Sequence, residues 1–402
     1  MPILRETAVK RSKSGIVFRI LWLAHASSEG GHDMNVQLRE TAALPPGATS
    51  RLAVADCDIH PATRTDTDLH PWLARHWIDH IAQFGRPARQ GWQAGPAYPK
   101  AQPNASRRDA YPPDGGRQGS SLSFMQAQHL DANNVELGIL NPLGSGQGVQ
   151  HPELATALCH ATNEWQIAEW TGKDRRLKGS VVVNYEDAPT AAAEIRRYAG
   201  DRNFVQVLLL TRTSEPLGAR RYWPIYEAAC EAGLAVAIHA FGYGGNPITT
   251  AGWPSYYIEE MVGHAQTSES VVTSLVTEGV FARFPKLKVI MVEGGFAWAP
   301  ALAWRLDKTW RRLKAETPIL TRAPSEYIRD HVWWTSQPME EPEPREHLLD
   351  TIGWMGWDRL LFATDYPHWD FDDPATCLPL KLDETQRRAF FRANADAVYG
   401  LA

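Results

Sequence analysis

Cysteine is scarce: there are four in 402 residues, at positions 57, 159, 230 and 377 with no C-x-x-C spacing. That excludes a disulfide framework and a thiolate zinc site, and reduced thiols suit a cytoplasmic protein. No stretch of about 18 apolar residues occurs, so no membrane-spanning helix is expected. Neither sign of charge dominates. Lys and Arg number 41 against 46 Asp and Glu, a net charge of -5, so no nucleic-acid or anionic-membrane partner is indicated. The first apolar run is not followed by the G-x-G-x-x-G turn of a dinucleotide-binding fold. What is present is 44% hydrophobic residues and 16 Trp. These call for a large aromatic-rich core, a flat-ring pocket, or both.

The first 50 residues read as a disordered extension. Lys10, Arg11 and Lys13 precede an apolar stretch at 16–24, and Ala24-His25-Ala26 imitates a cleavage site. That is the outline of a signal peptide, but Arg19 interrupts its apolar centre. Leu4-Arg5-Glu6-Thr7-Ala8 recurs at 38–42 with Met34 just ahead, which points to a small duplication or a start placed too early. Pro45, Pro46 and Gly47 mark a linker. Residues 51–402 then form the catalytic domain.

Within that domain eight short apolar runs occur, at 52–57, 135–140, 177–183, 204–210, 234–238, 287–292, 332–335 and 360–363, each followed by helical patterns. Continuous rather than alternating runs signify strands buried on both faces. Eight such units predict a (β/α)₈ barrel, with an open doubly wound sheet as the competitor. Residues 62–133 form a long insertion after the first strand, rich in Pro, Gly and Arg, suited to a lid or dimer arm. Trp72, Trp77, Trp165, Trp170, Trp298, Trp304 and Trp310 fall on predicted helices and are expected to pack.

A parallel barrel carries its chemistry at the C-terminal ends of its strands. Asp56, Asp58 and His60 follow the first run, His239 the fifth, Glu293 the sixth, and Asp365 and His368 the eighth. Residues two apart on a strand share a face, so Asp58 and His60 can aim at one point. His239 and Asp365 reach the same axis from other strands. Two imidazoles and two carboxylates suit one divalent cation, Zn²⁺ or Mn²⁺. Singly, each has an ordinary structural role: Asp56 can brace the first loop, and Asp365 can cap a turn before Pro367. Together they leave bare charges at the ends of three buried strands, which a shared metal relieves. Arg212 can fork onto a substrate carboxylate or lie on the surface. Trp253 and Trp369 can stack on a planar substrate or merely pack.

These residues also carry a family resemblance. Asp56-Cys57-Asp58-Ile59-His60 is similar to the Asp-x-His-x-His opening of the amidohydrolase superfamily, in the branch of aminocarboxymuconate semialdehyde decarboxylase and related aromatic-acid decarboxylases, with Asp58 replacing the first histidine. Thr364-Asp365-Tyr366-Pro367 and the segment 279–289 also resemble that branch, over about residues 52–400. The resemblance implies His239 and Asp365 as metal ligands and homodimers as a frequent assembly. Two departures stand out. The branch places a proton-transferring histidine before Gly-Gly, where this chain has Glu293-Gly294-Gly295. No lysine ends the fourth strand, so one metal is expected rather than two.

The implied activity is non-oxidative decarboxylation of a small planar or unsaturated carboxylic acid, with Glu293 or His368 delivering the proton. The rival is hydrolysis of an ester, lactone or amide, with Asp365 or Glu293 as base to a metal-bound water. A decayed barrel used for binding is a third reading, disfavoured by the complete ligand set.

Overall fold

The computed structural model describes residues 18–22, 36–40, 52–87, 105–243, 247–249 and 251–401. The chain forms two compact units, Met1–Arg51 and Leu52–Ala402. In the first, β1 (Phe18–Trp22) pairs antiparallel with β2 (Val36–Glu40), with Phe18 opposite Glu40. Apart from these two strands, the disorder and linker expected for residues 1–50 lie outside the described residues.

The second unit is built on eight strands: β3 (Val54–Ile59), β4 (Val135–Leu140), β5 (Leu177–Val182), β6 (Phe204–Arg212), β7 (Ala235–Gly242), β8 (Val289–Val292), β9 (Val332–Thr335) and β10 (Leu360–Leu361). They lie side by side in chain order, every paired neighbour parallel. The seam between the first and last is closed by backbone bonds, Cys57 N–H to Phe362 O at 2.9 Å and His60 N–H to Tyr366 O at 2.7 Å. A parallel bridge joins Ile59 and Tyr366 there. The expected (β/α)₈ barrel is therefore present, and the open sheet is excluded by the closed seam.

Strand side chains alternate between two cores, as pleated geometry requires. Ile139, Val182, Leu208, Ala237 and Ile290 fill one face, and Val181, Leu209, Ile238 and Met291 the other, which packs under the helices. His239 pairs with Leu210 and Val292 and continues the row of Ala235 and Ala237. Small residues below it keep the interior open where that imidazole stands.

Between β3 and β4 run the helix Arg75–Phe84 and a loop that returns to the seam. Arg107 N–H bonds Pro367 O at 2.8 Å, Ala62 N–H bonds Gly119 O at 2.9 Å, and Trp369 N–H bonds Ala105 O at 2.9 Å. This part of the insertion therefore braces the loop that bears Asp365 and His368. Residues 88–104 of the insertion lie outside the described residues.

The helices Tyr257–Thr277 and Pro324–His331 lie between β7 and β8 and between β8 and β9. Among the tryptophans, Trp165 and Trp170 are buried, but Trp304 is 59% exposed and does not pack inward. Among the described residues no helix is long and apolar enough to cross a membrane.

Candidate metal centre

β3 delivers Asp58 and His60, β7 delivers His239, the turn after β8 delivers Glu293, and the loop after β10 delivers Asp365 and His368. Donor atoms of Asp58, His60, His239 and Glu293 lie within 4.8 Å of one another, as do those of His60, Glu293, Asp365 and His368. The two groups overlap at His60 and Glu293, with Asp58 and His239 in one and Asp365 and His368 in the other. His60 Nδ1 donates to Asn141 O at 2.8 Å and His239 Nδ1 to Ala240 O at 2.7 Å. Each backbone acceptor takes the Nδ1 proton and turns Nε2 inward.

Asp58 Oδ1 accepts from Asn141 Nδ2 at 2.9 Å. Asp58 Oδ2, His60 Nε2 and His239 Nε2 are buried with no hydrogen bond. His60 Nε2 is 2.8 Å from Asp365 Oδ1, and His239 Nε2 is 2.9 Å from Glu293 Oε2; neither contact has hydrogen-bond geometry. Three bare donors converging in a dry site are costly unless a cation joins them. The donor set fits a divalent ion of the zinc or manganese kind.

The outer contacts hold these groups in place. Asp56 is fully buried and accepts from Asp58 N–H at 3.2 Å, Thr364 N–H at 2.9 Å and His129 Nε2 at 2.7 Å. It braces the seam rather than facing the centre. Asp365 Oδ1 is 2.6 Å from His368 Nδ1, and its Oδ2 accepts from Gln337 Nε2 at 3.3 Å. Glu293 and Asp365 both adopt left-handed backbone, φ 56° and 60°, a strain that non-glycine residues carry mostly at functional sites. Gly294 allows close approach of the helix Tyr257–Thr277: a Cβ there would lie 2.3 Å from Ser268 Oγ.

Burial and charge oppose each other throughout the cluster. Burial pushes the Asp58 carboxyl up, but His60 and His239 outweigh it and hold Asp58 far below the usual range. Burial also raises Asp365, which His368 and His60 bring down to about 2. Burial lowers His239, yet Glu293 and Asp58 lift it from an ordinary 6.5 to about 10. His60 is raised for the same reason, by Asp58 and Asp365 against burial. A proton must therefore leave His239 before its nitrogen can accept a cation. Zn²⁺ affinity should rise with pH throughout the range below about 10, at least about tenfold per pH unit near neutrality. Chelator competition from pH 6 to 8 measures this, and a flat profile would contradict it.

The predicted residues divide into two sets. Asp58, His60, His239, Asp365, Glu293 and His368 come together. Arg212 does not lie on the surface: it is 4% exposed, with its guanidinium 5.6 Å from the Trp253 ring centre. Trp253 and Trp369 are 38% and 49% exposed, and neither lines the cavity beside His60 and His368. That cavity, about 420 Å³, is walled by Leu69, Leu143, Val149 and Tyr243 and carries Arg86 and Arg117. Both arginines face one carboxylate, Asp66, at 3.8 and 2.6 Å.

His264 was missed by sequence reasoning. It is buried on the helix Tyr257–Thr277, with Nδ1 unpartnered and 3.7 Å from Glu293 Oε1. Burial lowers its pKa despite Glu293. His129 was also missed.

Comparison with known proteins agrees with this architecture. A family model described as Amidohydrolase matches residues 55–401. The chain is 22% identical over 287 residues to a gamma-resorcylate decarboxylase of Polaromonas sp. (68% of this chain, 85% of that one). It is 27% identical over 247 residues to a 2-amino-3-carboxymuconate-6-semialdehyde decarboxylase of Dictyostelium discoideum (60% and 66%). A Polaromonas dihydroxybenzoic acid decarboxylase, solved with bound manganese and the inhibitor 2-nitroresorcinol, superposes with a TM-score of 0.60 at 19% identity (87% and 97%).

Proposed function

The chain belongs to the amidohydrolase family, and from that premise we propose that it is a metal-dependent decarboxylase of a small planar or unsaturated carboxylic acid. The observation that carries this reading is the set of bare, buried donors on Asp58, His60 and His239 beside a cavity of about 420 Å³. Asp58, His60, His239 and Asp365 would hold one Zn²⁺ or Mn²⁺. When bound, the ion supplies a Lewis-acid anchor for the substrate's carboxylate or a neighbouring hydroxyl.

The protein's own groups do the rest. Arg86 and Arg117 share the single carboxylate of Asp66, so this wall of the cavity is net cationic and suits an acid. His368 lines the cavity, stacked on the His60 ring at 4.4 Å. Asp365 holds its Nδ1, which leaves Nε2 to carry the transferable proton. As the bond to CO₂ breaks, its electron pair stays on the substrate carbon and takes that proton. Asp365 then stabilises the proton left on the ring. Glu293 stands between His239 and His264, its carboxylate among the donor groups of the centre.

Hydrolysis remains a second reading because a glutamate carboxylate stands within the donor cluster, as a base for water would. The test is CO₂ release from a panel of hydroxybenzoates and unsaturated diacids by metal-loaded enzyme, with esters and lactones alongside. CO₂ from at least one acid is expected. Silence on every acid with turnover of a lactone or ester would move the assignment to hydrolysis.

A further inference from the structure

We propose that Tyr399, at the far end of the barrel, is a positioning residue for Asp58, acting through a buried hydrogen-bond chain along the barrel interior. The inference rests on the reading of Asp58 as a metal ligand.

Tyr399 ends the helix Asn394–Tyr399. Lys288, immediately before β8, donates to Val398 O at 2.7 Å, which places this helix under the N-terminal ends of the strands. Asp58 lies at the opposite, C-terminal end of β3. Tyr399 Oη donates to Gln206 Oε1 at 3.0 Å. Gln206 Nε2 donates to Ser180 Oγ at 2.9 Å and to Asn141 Oδ1 at 3.0 Å. Ser180 Oγ donates to the same Asn141 oxygen at 2.7 Å, and Asn141 Nδ2 donates to Asp58 Oδ1 at 2.9 Å. The chain climbs from the start of β6 through β5 to the end of β4 and across to β3.

Its direction is fixed from the Asp58 end. An ionised carboxylate only accepts, so Asn141 must offer its NH₂ there and turn its oxygen to Ser180 and Gln206. Gln206 must then donate, which turns its own oxygen to Tyr399 and obliges the phenol to donate. Asp58, Asn141, Ser180 and Gln206 are each 0% exposed. Loss of the Tyr399–Gln206 or of the Asn141–Asp58 bond therefore leaves a dry polar atom.

The apolar row of Ile139, Val182, Leu208 and Ala235 surrounds it. Packing alone would be served by more of the same residues. What the polar chain adds is orientation: Asp58 Oδ1 is occupied, and Oδ2 is left bare toward His239 Nε2, 3.6 Å away. Asn141 fixes the neighbouring ligand as well, because its backbone oxygen accepts from His60 Nδ1.

The test uses full-length metal-free protein and Zn²⁺ alone, with a chromophoric chelator as competitor and Tm measured in parallel. Asn141→Ala should raise the Zn²⁺ dissociation constant about tenfold to a hundredfold, as for other outer groups that orient a ligand. Tyr399→Phe should raise it by a smaller factor, about threefold to tenfold, and Gln206→Met by an intermediate one. The effect of Tyr399→Phe should vanish in the Gln206→Met or Asn141→Ala background, because the groups act in series. Either background suffices if the other fails to fold. A wild-type dissociation constant in Tyr399→Phe with a lowered Tm would reduce Tyr399 to a structural role and overturn the inference, as would additivity. Wild-type protein that binds no Zn²⁺ would overturn the metal reading itself, a result distinct from any difference among variants.

Discussion

An Asp58→Asn protein is expected to bind Zn²⁺ or Mn²⁺ at least about a hundredfold more weakly and to lose about a thousandfold in kcat/KM, about 4 kcal/mol. Asparagine matches aspartate in shape, so the reason is not a cavity. Asn141 Nδ2 donates to Asp58 Oδ1 and accepts nothing at that atom. An amide at position 58 must therefore place its oxygen toward Asn141, and its NH₂ takes the place of Oδ2. The bare acceptor 3.6 Å from His239 Nε2 becomes a donor without a lone pair. The carboxylate charge that would offset that of the cation disappears as well. Metal analysis of the purified variant and its steady-state kinetics decide the matter. One ion per chain at wild-type affinity, with more than about a tenth of wild-type activity, would remove Asp58 from the ligand set.

How far the chain could be read beforehand follows from where its polar residues sit. The barrel strands bury both faces, so their runs stand out: β4 and β9 occupy 135–140 and 332–335 as read. Asp58, His60, His239, Glu293, Asp365 and His368 end such runs, and convergence at one barrel mouth brings them together. The remaining parts of the site carry no such signal. His264 lies where the helix buries Gly263 and His264 in its first turns, so no apolar stripe marks that stretch and its inward face was invisible. His129 sits on a short π-helical turn, Gln126–Leu130, and meets Asp56 only through the closed seam. Ser180 and Gln206 interrupt apolar runs and read as defects; only the register of β5 against β6, with Ser180 opposite Gln206, shows that they face each other inside the barrel. Arg86 and Arg117 lie in the irregular insertion, where sequence identifies loop residues but not the cavity they reach.

The second large effect is expected at His368. His368→Gln should lower kcat about a thousandfold, the scale of a lost general acid, while the metal stays bound. Glu293→Gln should cost about tenfold. The contrast comes from position. His368 lines the cavity and stacks on His60 with ring planes 20° apart, so its free nitrogen can meet a substrate anchored at the same centre. Its Nδ1 is held 2.6 Å from Asp365 Oδ1, the arrangement by which a carboxylate orients an acid–base histidine. Glu293 is 7% exposed and does not line that cavity, and its two oxygens face His239 and His264 at 2.9 and 3.7 Å. Its loss removes a carboxylate from the donor cluster and should weaken metal binding more than it slows proton delivery. Single-turnover measurements on metal-saturated variants separate the two effects, and reaction in D₂O should place one deuterium at the carbon vacated by CO₂. If His368→Gln stays within about tenfold of wild type while metal-loaded Glu293→Gln loses about a thousandfold, the proton comes from Glu293. The glutamate would then do the work assigned here to the His368–Asp365 pair.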